Sequence, residues 1–297
     1  MSIHCSFLRH ALRRALPLAA TTALLAGCGT TAEPPGCLGN AEIAAIHADL
    51  QASKQVAAPQ LPSLAAAECT RAKLNALQAK TQGRVVGFKA GLTNPAVQKR
   101  FNHDAPVRGT LYERMLLADG ASVPAAFGAR PVYEADLLVR VRDAAVNSAR
   151  TPEQVLAAID QVIPFIELPD LAVIDPSKLN GNALVALNVA ARLGVVGTPI
   201  AVQRTQAFSD ALRDMQVTLS ADGAEIDRGK GSDVLGHPLA AVIWLAQDLA
   251  REGKALQPGD LVSLGSFSKL VPPKPGQAIA VGYQGLPGNP VVRLTFK

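Results

Sequence analysis

The sequence has 297 residues, of which 48% are hydrophobic and 18% are charged, with 8 Phe, 3 Tyr, 1 Trp and a formal net charge of +5. A chain of this length and apolar content can bury a large core, which excludes an intrinsically disordered protein. Its 24 glycines and 21 prolines are close to ordinary usage, which excludes a collagen-like or low-complexity protein.

Residues 1–27 have the layout of a secretory signal peptide. Arg9, Arg13 and Arg14 precede a weakly apolar run over residues 15–27, and the whole segment contains no acidic residue. A basic segment followed by a short apolar segment is typical of export signals, and this run is too short to span a membrane. An amphipathic N-terminal helix is the alternative interpretation.

The segment Leu25-Ala26-Gly27-Cys28 resembles the processing site of bacterial lipoproteins. At such a site Cys28 becomes the lipid-bearing first residue of the mature chain, and Gly29 after it favours the outer membrane. We therefore expect an exported protein that is held at the periplasmic face of a bacterial membrane by its lipid alone. Residues 28–39, rich in Thr, Pro and Gly, are predicted to form a flexible tether.

The cysteines of the mature chain form an even pair. Cys5 leaves with the signal peptide and Cys28 carries the lipid, so Cys37 and Cys69 remain. In an oxidising compartment two such cysteines favour a disulfide over two free thiols. Most of the net positive charge also leaves with the signal peptide, and aromatic residues are sparse, so we expect no nucleic acid partner.

The predicted elements begin with a helical N-terminal region over residues 40–83. Residues 84–90 are then predicted to form a strand that carries Lys89, followed by a glycine-containing turn. Residues 131–142 alternate between apolar and polar side chains, as in a strand with two different faces. Residues 162–168 form a short apolar strand in which Glu167 is the one charged residue.

The rest of the chain alternates between helices and short strands. An apolar helix is predicted over residues 182–193, a hairpin over 216–226, and a helix over 237–252. Short strands separated by Pro-Gly turns complete the sequence. Residues 84–297 are therefore predicted to form a single α+β domain.

Two acidic side chains leave the same face of the strand over residues 131–142. Glu134 and Asp136 lie two residues apart, a spacing that suits a hard divalent cation if a third oxygen ligand is present. Glu167 is the natural third ligand, although a solvated polar face and a strand-end charge explain the same residues. Lys89 fits a desolvated acid–base group or an anchor for an anionic substrate, and an edge-strand lysine is the alternative.

Several of these segments resemble the fumarylacetoacetate hydrolase superfamily. The resemblance is carried by GFKAGLT (87–93), by the strand with Glu134, by FIELPD around Glu167, and by the helix, PGD turn and GS strand end within 235–266. The chain is most similar to the branch of 2-keto-4-pentenoate hydratases and 4-oxalocrotonate decarboxylases. This resemblance implies a mixed β-sandwich roll with flanking helices, assembled into a homo-oligomer.

The resemblance also implies roles for individual residues. Glu134, Asp136 and Glu167 correspond to the family's metal ligands, and Mg²⁺ or Mn²⁺ is the expected ion. Glu134, Lys89 and Ser266 correspond to residues of its catalytic centre. Asp136 stands where the family usually has Glu, and residues 179–194 depart from the pattern of typical hydratases, which leaves the substrate open.

The implied function is a metal-dependent lyase, a hydratase or a decarboxylase, that converts a small 2-oxo or 2-hydroxydienoic acid through an enolate. A carbon–carbon hydrolase of the acylpyruvate type is one alternative, and its water activation would draw on His103, which is otherwise a loop histidine. A non-catalytic envelope lipoprotein that binds a small acid or a partner protein is the other alternative.

Overall fold

The computed structural model describes residues 32–297. The predicted signal peptide, Cys5, Cys28 and the first part of the predicted tether lie outside these residues. Within the described chain, no helix has the length and apolar character needed to cross a membrane. Residues 33–297 form one compact unit, in which the N-terminal helices are part of the same body as the strands.

The described residues form seven α-helices and thirteen β-strands, joined by short 3₁₀ turns. The helices are α1 (Asn40–Gln51), α2 (Leu64–Gln82), α3 (Pro95–Arg100), α4 (Pro152–Ala158), α5 (Gly181–Ala186), α6 (Gln206–Asp214) and α7 (Ala240–Arg251). The strands are β1 (Val85–Gly91), β2 (Val107–Tyr112), β3 (Leu116–Ala118), β4 (Ala121–Val123), β5 (Glu134–Val141), β6 (Ile159–Leu168), β7 (Leu193–Val196), β8 (Ile200–Ala201), β9 (Gln216–Ala221), β10 (Ala224–Lys230), β11 (Leu261–Ser263), β12 (Ala278–Gln284) and β13 (Val291–Phe296).

The strands form two mixed sheets. The larger sheet has the order β2-β1-β11-β5-β6-β7-β3, with β8 paired to β6, and the smaller has the order β10-β9-β12-β13-β4. The pairs β1–β11, β3–β7 and β4–β13 are parallel, and the others are antiparallel. Tyr283 of β12 links the sheets, because its hydroxyl bonds to the backbone of Phe165 and of Asp136 in the larger sheet. The predicted mixed β-sandwich with flanking helices is confirmed.

The alternation of β5 decides which of its side chains enter the main core. Leu137, Val139 and Val141 are buried in the cluster shared by the two sheets and α7. The opposite face of the strand carries Glu134 and Asp136, since successive side chains of a strand point to opposite faces. The acidic residues are thus held by a strand whose other face is anchored in the core.

The predicted helix over residues 182–193 is wrong in its second half. Helix α5 ends at Ala186, residues 188–190 form a short turn, and β7 begins at Leu193. The reason is tertiary: residues 193–196 pair with β6 on one side and with β3 on the other, and this pairing outweighs the helical pattern of the apolar residues.

A disulfide joins Cys37 to Cys69, the pair that the cysteine pattern predicts. Cys69 lies in α2, so the bond ties the start of the described chain to this helix. Removing it by Cys37→Ser with Cys69→Ser is expected to lower the free energy of unfolding by about 3 kcal/mol, because the unfolded chain regains the entropy of an open loop. Urea unfolding with and without a reductant measures this loss, and a variant as stable as the wild type would contradict it.

A buried ionic network connects α2, β2 and α7. Arg108 is only 2% exposed, and its guanidinium donates hydrogen bonds to Asp248 at 2.6 Å and to Glu252. Glu252 also accepts a hydrogen bond from Arg71 at 2.6 Å. Burial raises the pKa of Asp248, but hydrogen bonds from Arg108 and Arg251 more than offset this effect and hold it below its usual value. Ion pairs therefore join three elements that are far apart in the sequence.

The network makes the free energy of unfolding depend on pH in the acidic range. A carboxylate with a lowered pKa stabilises the fold above its unfolded-state pKa, near 4, and that contribution is lost as the pH falls through the lower folded-state value. Asp248→Asn removes the titrating group, so the stability difference between wild type and variant should narrow as the pH falls below about 4. Urea unfolding at several pH values tests this, and a constant difference would contradict it.

Candidate functional site

A cavity of about 580 Å³ opens beside the ends of β1, β5 and β6. Its polar lining includes the buried side chains of Lys89 of β1 and Glu167 of β6, which are 3% and 2% exposed, and the half-buried Glu134 at the start of β5. Apolar side chains form much of the remaining wall, namely Leu92, Val97, Phe101, Leu171, Leu184, Val189 and Leu270. The cavity thus combines a charged end with an apolar wall.

Strand register brings the charged residues together. Glu134 and Glu167 are direct cross-strand partners on β5 and β6. Lys89 lies on β1, two strands from β5, and its ammonium forms an ion pair with Glu167 and donates to the carbonyl of Val189 at 3.2 Å. Three of the residues singled out in the sequence therefore meet at one end of the cavity.

The cluster carries more negative than positive charge. Glu134, Asp136 and Glu167 supply three carboxylates, and Lys89 supplies one ammonium. Burial raises the pKa of Glu134 well above its usual range, and the neighbouring Glu167 raises it further. Glu167 is paired with Lys89, so two carboxylates of the cluster have no cationic partner of their own, and their oxygen atoms match the ligand preference of a hard divalent cation.

Asp136 is fully buried but does not line the cavity. Its Oδ2 accepts from the Ser263 hydroxyl at 2.5 Å, and its Oδ1 accepts from the backbone N–H groups of Leu137, Leu264 and Gly265. Burial and the charge of Glu167 raise the pKa of Asp136 to about 7. This short side chain is thus held against β11.

The predicted trio of ligands is not drawn together into one cluster. Among residues 32–297, the one group of three or more His, Cys, Asp or Glu ligand atoms within 4.8 Å of one another is Glu33 with the two disulfide cysteines. Metal ligation by Asp136 stays a prediction, and it requires the carboxylate to exchange its bonds to β11 for the ion. Glu134 and Glu167 face the cavity as they stand.

The two other predicted site residues lie in different places. Ser266 lines the cavity, where its hydroxyl donates to the carbonyl of Ser268 at 2.7 Å. His103 does not line it; the imidazole lies against Gly181 at the start of α5 and borders a second cavity of about 420 Å³. The turn after α3 directs the ring of His103 to α5, which agrees with the interpretation as a loop histidine, and water activation by His103 stays a prediction.

The rim of the cavity carries charged residues that no sequence pattern singled out, namely Arg100, Asp227, Arg228, Asp233 and Lys269. Arg100 and Lys269 are exposed residues that line it, and no carboxylate of the described chain lies within ion-pair distance of either. Arg100 sits above the ring of Phe101, with 5.8 Å between the guanidinium carbon and the ring centroid. Neither residue belongs to a recognisable motif, so no sequence signal points to them.

Comparison with known proteins assigns the family. Residues 79–291 match the model described as the C-terminal part of fumarylacetoacetate (FAA) hydrolase. The chain belongs to the FAA hydrolase family. The match runs from the end of α2 to the first residue of β13, so it includes every residue of the cavity described above.

Similar members of the FAA hydrolase family fall in the branch that the sequence resembles. The chain is 34% identical over 263 residues to a 2-keto-4-pentenoate hydratase of Burkholderia vietnamiensis, which covers 86% of this chain and 97% of that protein. It is 31% identical over 204 residues to a 4-oxalocrotonate decarboxylase of Pseudomonas putida, with 68% and 75% covered.

A solved structure extends the similarity to the fold. The 4-oxalocrotonate decarboxylase from Pseudomonas putida G7, complexed with magnesium and adipate, superposes with a TM-score of 0.76 at 25% identity. The alignment covers 88% of this chain and 99% of the decarboxylase. The family, the branch and the fold predicted from the sequence are confirmed.

Proposed function

We propose that this protein is a divalent-metal-dependent lyase, a hydratase or decarboxylase, that acts on a small 2-oxo acid. The observation that carries the proposal is the meeting of Lys89, Glu134 and Glu167 at the end of one cavity, in a chain whose relatives include hydratases and decarboxylases. Relatives have been solved with Mg²⁺, Ca²⁺ or Mn²⁺, which supports a divalent ion here.

Glu134 and Glu167 are the residues that would hold the ion, with Asp136 as the predicted third ligand. Their carboxylates, together with that of Asp136, outnumber the single positive charge of Lys89 and so fit a divalent cation. The chemistry supplied by such an ion is charge stabilisation of the enolate that a 2-oxo acid forms.

Lys89 and the cavity walls would bind and orient the substrate. The lysine ammonium has three N–H donors, of which Glu167 and the Val189 carbonyl take two, so one is left for a substrate oxygen. Lys89 can thereby hold a proton at the oxygen that gains charge. The apolar wall, with Leu92 and Leu184, contacts the hydrocarbon part of the acid and excludes water from it.

Arg100 on the rim of the cavity favours a substrate with a second carboxylate. Arg100 has no acidic partner among the described residues and lies on the same cavity as the acidic cluster. A dicarboxylate bound by its 2-oxo end at Glu134 and Glu167 could extend its other end to Arg100. This arrangement favours decarboxylation of a dicarboxylate such as 4-oxalocrotonate over hydration of a monocarboxylate such as 2-keto-4-pentenoate.

Arg100→Ala separates the two substrate classes. We expect the KM for a dicarboxylate to rise about tenfold and the KM for a monocarboxylate to stay unchanged. A tenfold rise is the effect of losing one hydrogen bond between charged groups. Lys99→Ala is the control, because Lys99 is an exposed neighbour on α3 that does not line the cavity. Equal effects of Arg100→Ala on both substrates would contradict the assignment of Arg100.

Following the ultraviolet absorbance of a 2-hydroxydienoate or of 4-oxalocrotonate tests the reaction. Metal-loaded protein should consume one of them, and product analysis distinguishes water addition from CO₂ release. Calorimetric binding of 2-oxo acids without any turnover would instead identify a non-catalytic binding protein. Carbon–carbon hydrolysis of an acylpyruvate would identify the hydrolase alternative, for which His103 is not in the cavity.

We also propose that the protein is exported and anchored by lipid at Cys28, with the outer membrane favoured. The support is the basic and apolar order of residues 1–27, the Leu25–Cys28 pattern and the cystine, which suits an oxidising compartment. Radiolabelled palmitate should enter the wild-type protein and not Cys28→Ala. Equal membrane fractionation of the two proteins, or label in neither, would contradict lipid anchoring.

A homo-oligomer is the remaining part of the proposal, and it rests on resemblance to the family. Light scattering of the purified protein measures its mass directly. A mass that matches a single chain across the working concentration range would contradict it.

A further inference from the structure

The segment after α5 has an unusual backbone. Asn188, Val189 and Ala190 have φ angles of 56°, 52° and 55°, so three consecutive residues other than glycine occupy the left-handed region. Each such residue costs roughly 1–2 kcal/mol, and β-branched valine is among the least suited to it. Strain of this kind persists only when the surrounding structure enforces it, and it concentrates at functional sites.

The side chain of Asn188 enforces the turn. It is fully buried, and its Oδ1 accepts from the N–H of Thr110 at 2.7 Å, while its Nδ2 donates to the carbonyl of Thr110 at 3.0 Å. The same Nδ2 also donates to Oε1 of Gln78 in α2 at 3.1 Å. One amide thus pairs with both backbone groups of a residue in β2 and fixes the turn to that strand.

The turn presents a backbone carbonyl to the candidate site. The carbonyl of Val189 accepts from Nζ of Lys89 at 3.2 Å, and Val189 and Ala190 both line the cavity. No other carbonyl of the described chain forms a hydrogen bond with this ammonium, whose second partner is the Glu167 carboxylate. The strained residues are therefore in direct contact with the lysine of the proposed mechanism.

Two glycines leave room for this approach. Gly109 is the cross-strand partner of Lys89, and a Cβ at this position would lie 2.8 Å from both the Asn188 carbonyl oxygen and Cγ of Lys89. A Cβ on Gly91 would lie 2.7 Å from a methyl carbon of Val189. The turn and the lysine stem are thus packed against backbone that has no space for a side chain.

We propose that the left-handed turn over residues 188–190, locked by Asn188, is a positioning device that holds the Lys89 ammonium in its working orientation. A lysine has a flexible four-carbon stem, and a carboxylate alone leaves the ammonium free to rotate about it. A second acceptor at a fixed place removes that freedom and directs the third N–H into the cavity. Asn188 is accordingly a positioning residue, and this inference rests on the proposed role of Lys89.

Asn188→Ala and Gln78→Leu form a matched pair for the test. Both variants lose buried hydrogen bonds, but Gln78→Leu leaves both bonds between Asn188 and Thr110 intact. We expect kcat to fall about tenfold or more in Asn188→Ala, with KM within about twofold, because misplacement of a reacting group acts mainly on kcat. Gln78→Leu should keep the wild-type kcat even if its melting temperature falls as much as that of Asn188→Ala.

A readout independent of turnover is the labelling of Lys89 in metal-free protein by an N-hydroxysuccinimidyl ester, mapped by peptide mass spectrometry. The rate should rise about threefold or more in Asn188→Ala, because the released turn opens access to the amine, and should stay unchanged in Gln78→Leu. Where Asn188→Ala does not fold, Asn188→Asp replaces it, since the carboxyl group keeps the size of the side chain but loses the Nδ2 donor to the Thr110 carbonyl.

The outcomes separate this inference from the proposed function. Unchanged kcat and labelling in Asn188→Ala, or equal losses in Gln78→Leu, would overturn the positioning role and leave the lyase intact. A wild-type protein without turnover would overturn the lyase, and the labelling comparison would still decide the positioning role.

Discussion

Replacing Glu134 by Gln is expected to lower the affinity for Mg²⁺ or Mn²⁺ by more than about 100-fold. Losing a residue that only hydrogen-bonds a metal ligand lowers metal affinity by up to about 100-fold, and losing a ligand itself should lower it further. The amide keeps the shape of the side chain but removes one of the three negative charges. The ion pair between Lys89 and Glu167 remains. Turnover should be lost together with the metal, as measured by metal analysis and by absorbance assays at saturating metal.

The same substitution should leave the metal-free protein at least as stable as the wild type. Burial and the charge of Glu167 raise the pKa of Glu134, so its ionised form is unfavourable without a cation. A neutral amide avoids this cost. Glu113→Gln, at an exposed ion pair with Arg84, is the control and should alter neither metal affinity nor turnover. Full metal occupancy in Glu134→Gln would show that Glu134 is not a ligand.

Replacing Lys89 by Met is expected to reduce kcat by about 10³-fold while the metal still binds, within the range for removing a group that transfers or holds a proton. Methionine preserves most of the stem volume but removes the ammonium. The acidic cluster then carries an additional uncompensated charge, so its attraction for a divalent ion does not decrease. Metal titration and steady-state kinetics separate the two effects.

The stability of Lys89→Met should depend strongly on metal. Without an ion, the variant leaves the buried Glu167 carboxylate unpaired, which costs about 3–5 kcal/mol, and added metal should restore most of that loss. Lys80→Met, at an exposed position of α2, should show neither effect. Wild-type turnover in Lys89→Met would contradict the role assigned to the lysine.

Much of the site could be predicted because strand alternation is visible in a sequence. The pattern of β5 places Glu134 on the face opposite the core, and the apolar context of β6 and β1 marks Glu167 and Lys89 as unusual charges. That Glu134 and Glu167 are cross-strand partners depends on the register of β5 with β6, which their local patterns do not encode. The resemblance to a family supplied that step.

The features that could not be predicted arise from tertiary contacts. Asp136 accepts hydrogen bonds from Ser263 of β11 and from the backbone N–H groups of Leu264 and Gly265 that follow it, so its side chain is held away from the cavity. The turn at Asn188 follows from its hydrogen bonds to Thr110. The apolar residues around it have the spacing of a helix, so their pattern predicts a helix there. Arg100 reaches the cavity because of where α3 lies, which no motif signals.

Metal-dependent turnover of a 2-oxo acid tests the central claim most directly. The purified protein, cleared of metal by a chelator, would be assayed by ultraviolet absorbance with 4-oxalocrotonate and with the 2-hydroxydienoate form of 2-keto-4-pentenoate, before and after adding Mg²⁺ or Mn²⁺. We predict no turnover without metal and restored turnover with it, for the wild type and not for Glu134→Gln. A folded, metal-loaded wild-type protein that converts neither acid would contradict the claim.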